Sequence, residues 1–590
     1  MYLREFHIKN FRNIKDLTIH FNNGVNIIIG ENNSGKTTIF DALRICLGYG
    51  DRYRDIYVNK SDFHIDSSDP GLSLPQVEFD LIFEIEKDIE TGWFRDLLVQ
   101  KNDGTQELQV HHRYYYETVN EKEKFRYKIW GGENEGQQIE PDILDLLKHV
   151  YLGALRDAVQ ELKPLRGNKL GELYSNLKYD KQGNAITDEK REEMAGRIKT
   201  ALHNDTDWTD LIDMGLDKVN EHLNETSIKG KEQKVGIDFL PFEFRRLVDY
   251  LRMQIPIFEE TTLQNNGSVQ QYFDLFQNGL GYNNLIYTAT VLGDLKVIKE
   301  VDPETYIALI IEEPEAHLHP QLQNIFFNYM SELNNEGFQV FISSHSPTLT
   351  ATADLDSLII LQNQSDSVNA FTLRDSNLEE SNKKYLSKFL DVTKSQLFFA
   401  NGVILVEGIS EALLLQLFSE ILDKNGKYNL EKNGIEIVNV NGVAFEHFAK
   451  LFNSDDATKR LNCKCSILTD NDKHKYDGEI SSRAQKAMTY KGENLEVLLA
   501  ENTFEYELVI ANKDILFETF SRIHPTAAGR IDQRESIEEF GKNFVEKVES
   551  DRAKSELSHT LAIRLENEPE TKENFEVPVY IQQAIKWCLE

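Results

Sequence analysis

The stretch GENNSGKTT, residues 30 to 38, has the composition and spacing of a loop that binds phosphate groups. It matches the pattern G-x-x-x-x-G-K-[ST] at Gly30, Gly35, Lys36 and Thr37. In such a loop backbone N–H groups surround the phosphates of ATP, Lys36 contacts the β and γ oxygens, and Thr37 binds Mg²⁺. The predicted nucleotide site also includes Asn32, Asn33 and Thr38.

Two further segments carry side chains suited to the hydrolysis of ATP. The run YIALIIEEPEAHLHP, residues 306 to 320, has the pattern of a buried strand that ends in two acids. We expect Glu312 to orient Mg²⁺ through water and Glu313 to polarise the attacking water. The run VFISSHSP, residues 340 to 347, predicts another strand, and its position favours His345 as a sensor of the γ-phosphate.

A second group of acids follows apolar runs in the last third of the chain. Glu407 and Glu411 stand in VILVEGISE, and Asp470 and Asp472 stand in ILTDND. Each run has the pattern of a strand, and strands that alternate with helices predict a parallel sheet whose carboxyl ends share one edge. We therefore expect these acids to lie together.

Several carboxylates at one edge of a sheet cannot all remain ionised without a compensating charge. Divalent cations with oxygen ligands provide that charge, and Mg²⁺ or Mn²⁺ suit this set of donors. The pattern thus predicts a second metal site, separate from the one that accompanies ATP.

The elements that position these residues predict an α/β protein of two parts. Between the phosphate loop and residue 306, apolar residues recur at helical spacing, as at Ile212, Leu216, Val219 and Leu223. This segment predicts an inserted helical unit, although such a stripe is more often core than an oligomer interface. We expect boundaries at 1–160 and 236–395 for the two parts of an ATPase, 161–235 for the insertion and 396–590 for the second α/β domain.

Length and composition restrict the alternatives. The chain has 590 residues, four cysteines and a net charge of −33. Few scattered cysteines favour a reducing cytoplasm, and we expect no membrane association because no apolar run is long enough to span a bilayer. The acidic charge disfavours general nucleic-acid binding, so contact with DNA requires a local basic stripe. One candidate is the segment 472–491, with Lys473, Lys475, Arg483, Lys486 and Lys491, which is otherwise a solvated loop.

The order of these motifs resembles that of a known family. FHIKNFRNIKDLTIHF, the phosphate loop, EEPEAHLHP and SSHSP resemble the RecF/SMC-like branch of ABC ATPases, and the acidic C-terminal pattern resembles a Toprim domain. Together they resemble the OLD (overcoming lysogenization defect) family of ATP-dependent endonucleases, which includes the nuclease subunit of Gabija-type phage defence.

The resemblance implies further site residues. The family's signature loop, which closes the nucleotide site of a partner subunit, corresponds to Asn278, Gly279 and Gly281, with Asn278 in place of the usual serine. Glu505 matches an additional acidic metal ligand, with Glu507 as the weaker choice. Lys554 matches a lysine that stabilises charge on the scissile phosphate, although Ser555 replaces the usual glycine.

The resemblance also implies partners and regulation. It implies DNA as substrate, cut by two-metal hydrolysis of a phosphodiester. It also implies a homodimer or tetramer formed through the ATPase and its helical insertion, and a defence partner such as a helicase. It implies that nucleotide gates the nuclease, without indicating whether ATP activates or inhibits cutting. The alternative is a repair or DNA-organising ATPase of SMC/RecF type without nuclease activity; the lack of sustained heptads, and the second acidic domain, disfavour it.

Overall fold

The computed structural model describes most of the chain and leaves out several short segments. The described residues are 1–49, 56–65, 75–120, 122–153, 158–226, 235–236, 243–256, 272–316, 318–364, 367–423, 426–473 and 479–589. They divide into two compact units. The first comprises Met1–Tyr151, Ile307–Pro314 and Pro320–Glu590, and the second comprises Leu152–Tyr306 and Glu315–His319.

Strands and helices are numbered in chain order. The strands are β1 (Tyr2–Phe11), β2 (Ile14–His20), β3 (Val25–Gly30), β4 (Val77–Glu84), β5 (Leu98–Gln100), β6 (Gln106–Val119), β7 (Lys122–Gly131), β8 (Leu147–Leu152), β9 (Gln254–Pro256), β10 (Tyr272–Asp274), β11 (Tyr306–Glu312), β12 (Gln339–Ser344), β13 (Leu358–Gln364), β14 (Ser367–Thr372), β15 (Gly402–Val406), β16 (Ile435–Asn439), β17 (Lys464–Thr469) and β18 (Leu495–Leu499).

The helices occupy both units. They are α1 (Lys36–Leu47), α2 (Asp88–Trp93), α3 (Pro141–Leu144), α4 (Ala158–Glu161), α5 (Lys169–Asn176), α6 (Asp188–His203), α7 (Thr206–Thr226), α8 (Phe244–Asp249), α9 (Leu280–Val301), α10 (Pro320–Glu332), α11 (Pro347–Thr352), α12 (Glu380–Phe389), α13 (Ile409–Leu422), α14 (Phe445–Ala449), α15 (Ser482–Met488), α16 (Phe504–Ala511), α17 (Lys513–Ile523), α18 (Pro525–Ala528), α19 (Ile537–Ser550), α20 (Lys554–Asn567), α21 (Pro569–Glu573) and α22 (Val579–Leu589).

The phosphate loop leaves the middle of a six-stranded sheet in the first unit. The strand order is β14-β13-β3-β12-β11-β8, and β3 pairs in parallel with both β12 and β13. The central strands are buried on both faces, which explains their continuous apolar runs. The predicted order of strand, loop and helix at residues 25–47 is confirmed.

A second six-stranded sheet in the same unit is antiparallel wherever its pairs are described. Its order is β2-β1-β4-β6-β5, and β7 pairs with β6 from Val110 to Val119. Alternate residues of β4 are buried and half-buried, as expected for a sheet with one packed face. The phenylalanines of β1 and β4 form part of the buried layer, where Phe6 and Phe79 lie 6.2 Å apart.

The last third of the chain folds around a four-stranded parallel sheet, as predicted. The order is β16-β15-β17-β18, with parallel pairing throughout. Helices α13, α16, α17, α19, α20 and α22 contribute to an apolar core that includes Phe418, Phe504 and Phe544. Because every strand of this sheet runs in one direction, the segments after β15 and β17 emerge at the same edge.

The second unit contains the predicted insertion and continues beyond it. Helices α6 and α7 confirm the helical spacing of residues 194–223, and α5 packs against α8 and α9 within this unit. The compact unit extends from residue 152 to residue 306, whereas the sequence predicts an insertion from 161 to 235. Among the described residues, no helix is long and apolar enough to cross a membrane.

Candidate active sites at the phosphate loop and the parallel sheet edge

The phosphate loop has the backbone conformation that its glycines allow. Gly35 immediately precedes α1 with a φ of 99°, and Gly30 has a φ of 155°. A side chain at Gly30 would place its Cβ 2.7 Å from the carbonyl oxygen of Leu361, which is too close for a real contact. Asn33 also has a left-handed φ of 65°, a conformation that asparagine tolerates better than most residues.

The lysine of this loop contacts the backbone of the loop itself. Lys36 is buried, and its Nζ donates hydrogen bonds to the carbonyl oxygens of Gly30 at 2.9 Å and Glu31 at 2.7 Å. Thr38 donates to Asn13 at 2.9 Å, whereas the side chain of Thr37 is exposed. The exposed hydroxyl and the first-turn backbone of α1 suit a bound phosphate and its cation.

Glu312 and Glu313 lie at the end of β11, and β12 separates that strand from β3, which leads into the loop. Glu312 is buried, and its Oε2 accepts a 2.6 Å hydrogen bond from the hydroxyl of Tyr151. Its Oε1 is buried without a hydrogen-bond partner. A buried carboxylate oxygen without a donor is costly, and this atom therefore fits the water shell of a cation.

Glu313 and His345 face one another at the ends of β11 and β12. His345 Nε2 lies 3.5 Å from Glu313 Oε1, and Glu313 has a left-handed φ of 42°. Burial lowers the pKa of His345, and the nearby charge of Lys36 lowers it further. The structure thus brings Lys36, Glu313 and His345 close enough to interact, as the order of the motifs predicts.

The signature candidate lies in the second unit. Gly279 precedes α9, and Asn278 donates a 3.2 Å hydrogen bond to the buried Asn283. Gly281 is in the first turn of the helix. The turn and helix start are as predicted, and the role of Asn278, Gly279 and Gly281 toward a nucleotide stays a prediction.

At the parallel sheet, Glu407 and Asp470 meet at the carboxyl edge. Glu407 Oε1 accepts a 3.1 Å hydrogen bond from the backbone N–H of Asp470 and another from the hydroxyl of Thr469. Asp470 Oδ1 accepts a 2.9 Å hydrogen bond from the N–H of Phe504. The acid after β15 is therefore joined directly to the acid after β17.

Glu411, Glu505 and Lys554 complete this group. Glu411 is in the first turn of α13, Glu505 in the first turn of α16, and Lys554 begins α20. Lys554 Nζ lies 3.1 Å from Glu505 and 3.2 Å from Glu549. We call Glu407, Glu411, Asp470, Glu505 and Lys554 the rim cluster.

The carboxylates of the rim cluster influence one another electrostatically. Burial raises the pKa of Asp470 well above its usual value, and the charge of Glu407 raises it further. The pKa of Glu411 is raised to about 7, first by burial and then by Glu505 and Glu407. For Lys554, burial lowers the pKa, but Glu505 and Glu549 outweigh that effect and raise it.

Asp472 does not join this group. Its carboxylate pairs with Arg483 at 3.1 Å, and its backbone has a left-handed φ of 54°. The turn after Asp470 thus gives Asp472 a cation partner on α15, and its role as a metal ligand stays a prediction. Glu507 also faces elsewhere and accepts a 2.8 Å hydrogen bond from the N–H of Glu501.

The basic candidates of the segment 472–491 are paired with acids. Lys473 lies 3.5 Å from Glu501 and Lys486 lies 2.5 Å from Glu446. Lys491 pairs with Glu496, Arg483 pairs with Asp472, and Lys475 lies outside the described residues. These contacts weaken the prediction that this segment forms a basic stripe.

The donors of the rim cluster fit a divalent cation by their chemistry. Asp470 and Glu411 both have raised pKa values, and a cation would relieve the repulsion that contributes to them. Within the described ranges, no three acidic, histidine or cysteine side chains are already gathered around a point that could hold one metal ion. Binding therefore requires the carboxylates to close on the ion.

Sequence reasoning missed the residues that orient these groups. Tyr151 binds Glu312 across 161 positions of the chain, and Thr469 binds Glu407 across 62. Arg12 forms ion pairs with Asp41 at 2.6 Å and with Asp62 at 2.8 Å. Asp41 lies on α1, the helix that follows the phosphate loop. Tyrosine at the end of β8 and arginine after β1 carry no local signal that distinguishes them from ordinary surface residues.

Comparisons with known proteins match two parts of the chain to two family profiles. The family profile described as AAA ATPase domain matches residues 1–350, and that of the overcoming lysogenization defect protein-like TOPRIM domain matches residues 398–472. Endonuclease GajA of Bacillus cereus is 22% identical over 98% of this chain and 87% of its own length. The OLD nuclease of Thermus scotoductus is 24% identical over 71% of this chain and 74% of its own length. The Old nuclease of Escherichia phage P2 is 27% identical over 42% of each chain.

Proposed function

We propose that this chain, which belongs to the family described as AAA ATPase domain and also matches the OLD-like TOPRIM profile, is an OLD-type, divalent-metal-dependent DNA endonuclease regulated by ATP. The names of three relatives as nucleases support the reaction class. The single observation that carries the proposal is the rim cluster, in which acids from β15, α13, β17 and α16 converge beside a lysine.

The rim cluster supplies ligands for Mg²⁺ or Mn²⁺. Glu407, Glu411, Asp470 and Glu505 would share the ions, and Asp472 would join them only by releasing Arg483. Bound divalent cations supply a nucleophilic water at neutral pH and stabilise charge on the scissile phosphate. Thr37 and Glu312 would hold the separate Mg²⁺ that accompanies ATP.

The chain's own groups prepare the phosphodiester for attack. Lys554 Nζ, held between Glu505 and Glu549, would donate to a non-bridging oxygen of the scissile phosphate as negative charge develops there. Glu411, with a pKa raised to about 7, can hold a proton on its carboxyl group near neutral pH. The Asp470 carboxyl group is held by the hydrogen bond that its Oδ1 accepts from the N–H of Phe504.

The ATPase site acts as the regulatory input. Lys36 would exchange its contacts with the loop carbonyl oxygens for the phosphates of ATP, and Glu313 would polarise water beside His345. Asn278, Gly279 and Gly281 would close the nucleotide site of a partner subunit. Nucleotide occupancy would then set the arrangement of a homodimer or tetramer, and with it the rate of DNA cutting.

The biological role that fits this enzyme is defence against phage. The resemblance to the family that includes the nuclease subunit of Gabija-type phage defence supports that role and a partner protein such as a helicase, and similarity to endonuclease GajA over 98% of the chain supports the nuclease activity. Exposed apolar side chains on α7, including Leu211, Met214 and Val219, support an oligomer interface in the helical insertion. A reducing cytoplasm is the compartment in which the free cysteines would persist.

A plasmid-cutting experiment tests the proposal. We expect the wild-type chain to nick or linearise supercoiled plasmid with Mg²⁺ or Mn²⁺, and we expect EDTA to stop it. Asp470→Asn, which keeps the side-chain size but removes the charge, should reduce the rate at least about 100-fold. Circular dichroism and ATP hydrolysis control for folding of the variant.

The same experiment distinguishes the non-nuclease alternative. The nuclease proposal is wrong if the wild-type chain leaves the plasmid intact in every condition tested. These conditions include the absence and presence of ATP and the addition of a candidate helicase partner. An ATPase that binds DNA but leaves it uncut would instead indicate a repair or DNA-organising protein of SMC/RecF type.

A further inference from the structure

The outer strand of the antiparallel sheet carries cations at every second position. In β7 these are Lys122, Lys124, Arg126 and Lys128, which we call the β7 cations. All four side chains are exposed. Because successive strand residues point to opposite faces, the β7 cations lie on one face of the strand.

The register with β6 places an acid, a tyrosine and an arginine beside three of the β7 cations. We call the face that carries the β7 cations the basic face. The residues of β6 opposite Lys124, Arg126 and Lys128 are Glu117, Tyr115 and Arg113. The opposite face of β7 is aromatic instead, since Phe125 stacks on Tyr114 at 6.1 Å. The β7 cations thus lie on the face away from these rings, and Glu123 on the aromatic face pairs with Lys60.

The β6–β7 hairpin extends beyond the rest of its sheet. β4 pairs with β6 only as far as Tyr114, whereas β7 continues the pairing to Val119. The segment from Tyr115 to Arg126 is therefore a two-stranded ribbon, except that Glu121 lies outside the described residues. Such a ribbon presents its β7 cations at an edge that is accessible to a large partner.

The acids near the ribbon do not cancel its charge. Glu117 pairs with Arg126 at 3.2 Å, and Glu135 pairs with Lys128. Both acids are about half exposed, and ion pairs between exposed, long side chains contribute little free energy. In a chain with a net charge of −33, β7 thus places four exposed cations on one face.

We propose that the basic face of the β6–β7 ribbon binds the phosphate backbone of DNA. The proposal rests on the proposed function, because it supplies the DNA-binding surface that an acidic nuclease requires. From Lys122 to Lys128 the strand spans about 20 Å, which is the rise of about six base pairs. Lysine and arginine contacts to phosphate carry no sequence information, so the ribbon holds DNA without selecting a sequence.

Edge strands also use lysine to prevent pairing with other sheets. That explanation accounts for charge at the edge of β7 but predicts no effect on DNA affinity. The two explanations therefore differ in a measurable way, and the dependence of DNA affinity on salt separates them.

The experiment compares two variants of equal net charge. In the ribbon variant all four β7 cations are replaced by glutamine. In the control variant the same change is made at four exposed lysines elsewhere, namely Lys384, Lys388, Lys542 and Lys586. Binding of a fluorescent 30-base-pair duplex is measured by anisotropy at several NaCl concentrations in EDTA, where the DNA is not cut.

We expect the ribbon variant to lose affinity and the control variant to keep the wild-type value within about twofold. Log K falls as log salt rises, and each phosphate contact adds about 0.9 to the steepness of that fall. Loss of four contacts therefore makes the fall shallower by about 3.6. Equal slopes for the two variants would overturn the proposal. If the ribbon variant shows a shallower salt dependence than wild type but the wild-type chain never cuts DNA, the nuclease function is wrong and the ribbon proposal stands.

Discussion

Lys554 is the one cation of the rim cluster, and its two neighbours are acids. Its Nζ lies between Glu505 and Glu549, and together these acids raise its pKa despite partial burial. Glu505 belongs to the cluster that would bind cations, whereas Glu549 lies on the last turn of α19 and is half-buried. The two acids therefore keep the lysine charged and fix the position of its Nζ.

Replacing Lys554 by glutamine should reduce DNA cutting while leaving the fold intact. We expect kcat/KM to fall about 100- to 1,000-fold, the loss that follows removal of one electrostatic contact to the transition state. The Glu549→Gln variant is the control, because it removes the other acid that holds the lysine and should cost less than about tenfold. A Lys554→Gln enzyme within threefold of wild type would rule out this role for the side chain.

Glu313 offers a corresponding test at the nucleotide site. Glu313→Gln keeps the shape of the side chain beside His345 but cannot polarise water. We expect ATP hydrolysis to fall at least about 100-fold while ATP binding, followed with a fluorescent analogue, stays within about threefold. Hydrolysis at the wild-type rate would show that another group activates the water.

At the scale of elements, the antiparallel sheet is stabilised by a charged group on its open face. Asp80 on β4 contacts His111 at 2.5 Å, Arg113 at 2.7 Å and His7 at 3.2 Å. Burial alone would raise the pKa of Asp80, but the hydrogen bonds from these residues outweigh it and hold the pKa well below 3.8. The side chain thus joins β1, β4 and β6 in its ionised form.

The sign of the pH dependence follows from that lowered pKa. An acid whose pKa is lower in the folded state contributes stability at pH values above its unfolded pKa, near 3.8, and loses it as the pH falls toward the folded pKa. We expect Asp80→Asn to cost about 1 to 3 kcal/mol at pH 7 and less at pH 3, as measured by urea unfolding. Asp16→Asn, which removes the exposed partner of His7, is the control and should change stability by less than about 0.5 kcal/mol. The same loss in both variants, or a loss that does not shrink in acid, would contradict this account.

Local patterns predict the elements of this protein better than the directions of its side chains. The phosphate loop, the strand-end acids and the helix starts at Glu411 and Lys554 follow from residues adjacent in sequence. The pairing of Asp472 with Arg483 depends on a left-handed turn and on a helix that begins ten residues later, at Ser482. The bond between Tyr151 and Glu312 depends on the packing of β8 beside β11, which one sequence does not reveal.

At the scale of the whole molecule, the ATPase sheet and the TOPRIM sheet belong to one compact unit. Helices α12 and α14 meet where the two parts join, and Tyr385 stacks on His447 with ring centres 3.9 Å apart. Lys450 donates hydrogen bonds to Glu379 at 3.2 Å and to Asn382 at 3.1 Å across the same contact. We expect these contacts to carry part of the coupling between the nucleotide site and the rim cluster.

Breaking this contact should reduce the response of DNA cutting to nucleotide. We expect Lys450→Met to bring the ratio of cutting rates with and without ATP several-fold closer to one, since such couplings are commonly about 0.5 to 2 kcal/mol. ATP hydrolysis should change less than about twofold. Lys384→Met, on an exposed position of α12, is the control. An unchanged ratio in Lys450→Met would place the coupling elsewhere.

The central claim is that the rim cluster binds divalent cations, and the direct measurement is Mn²⁺ binding followed by electron paramagnetic resonance without nucleotide. We predict that wild type binds Mn²⁺ and that Asp470→Asn weakens the affinity at least about tenfold. Glu507→Gln, which neutralises an acid whose carboxylate accepts a hydrogen bond from the N–H of Glu501, should keep the wild-type affinity. Equal Mn²⁺ binding by wild type and Asp470→Asn would contradict the account.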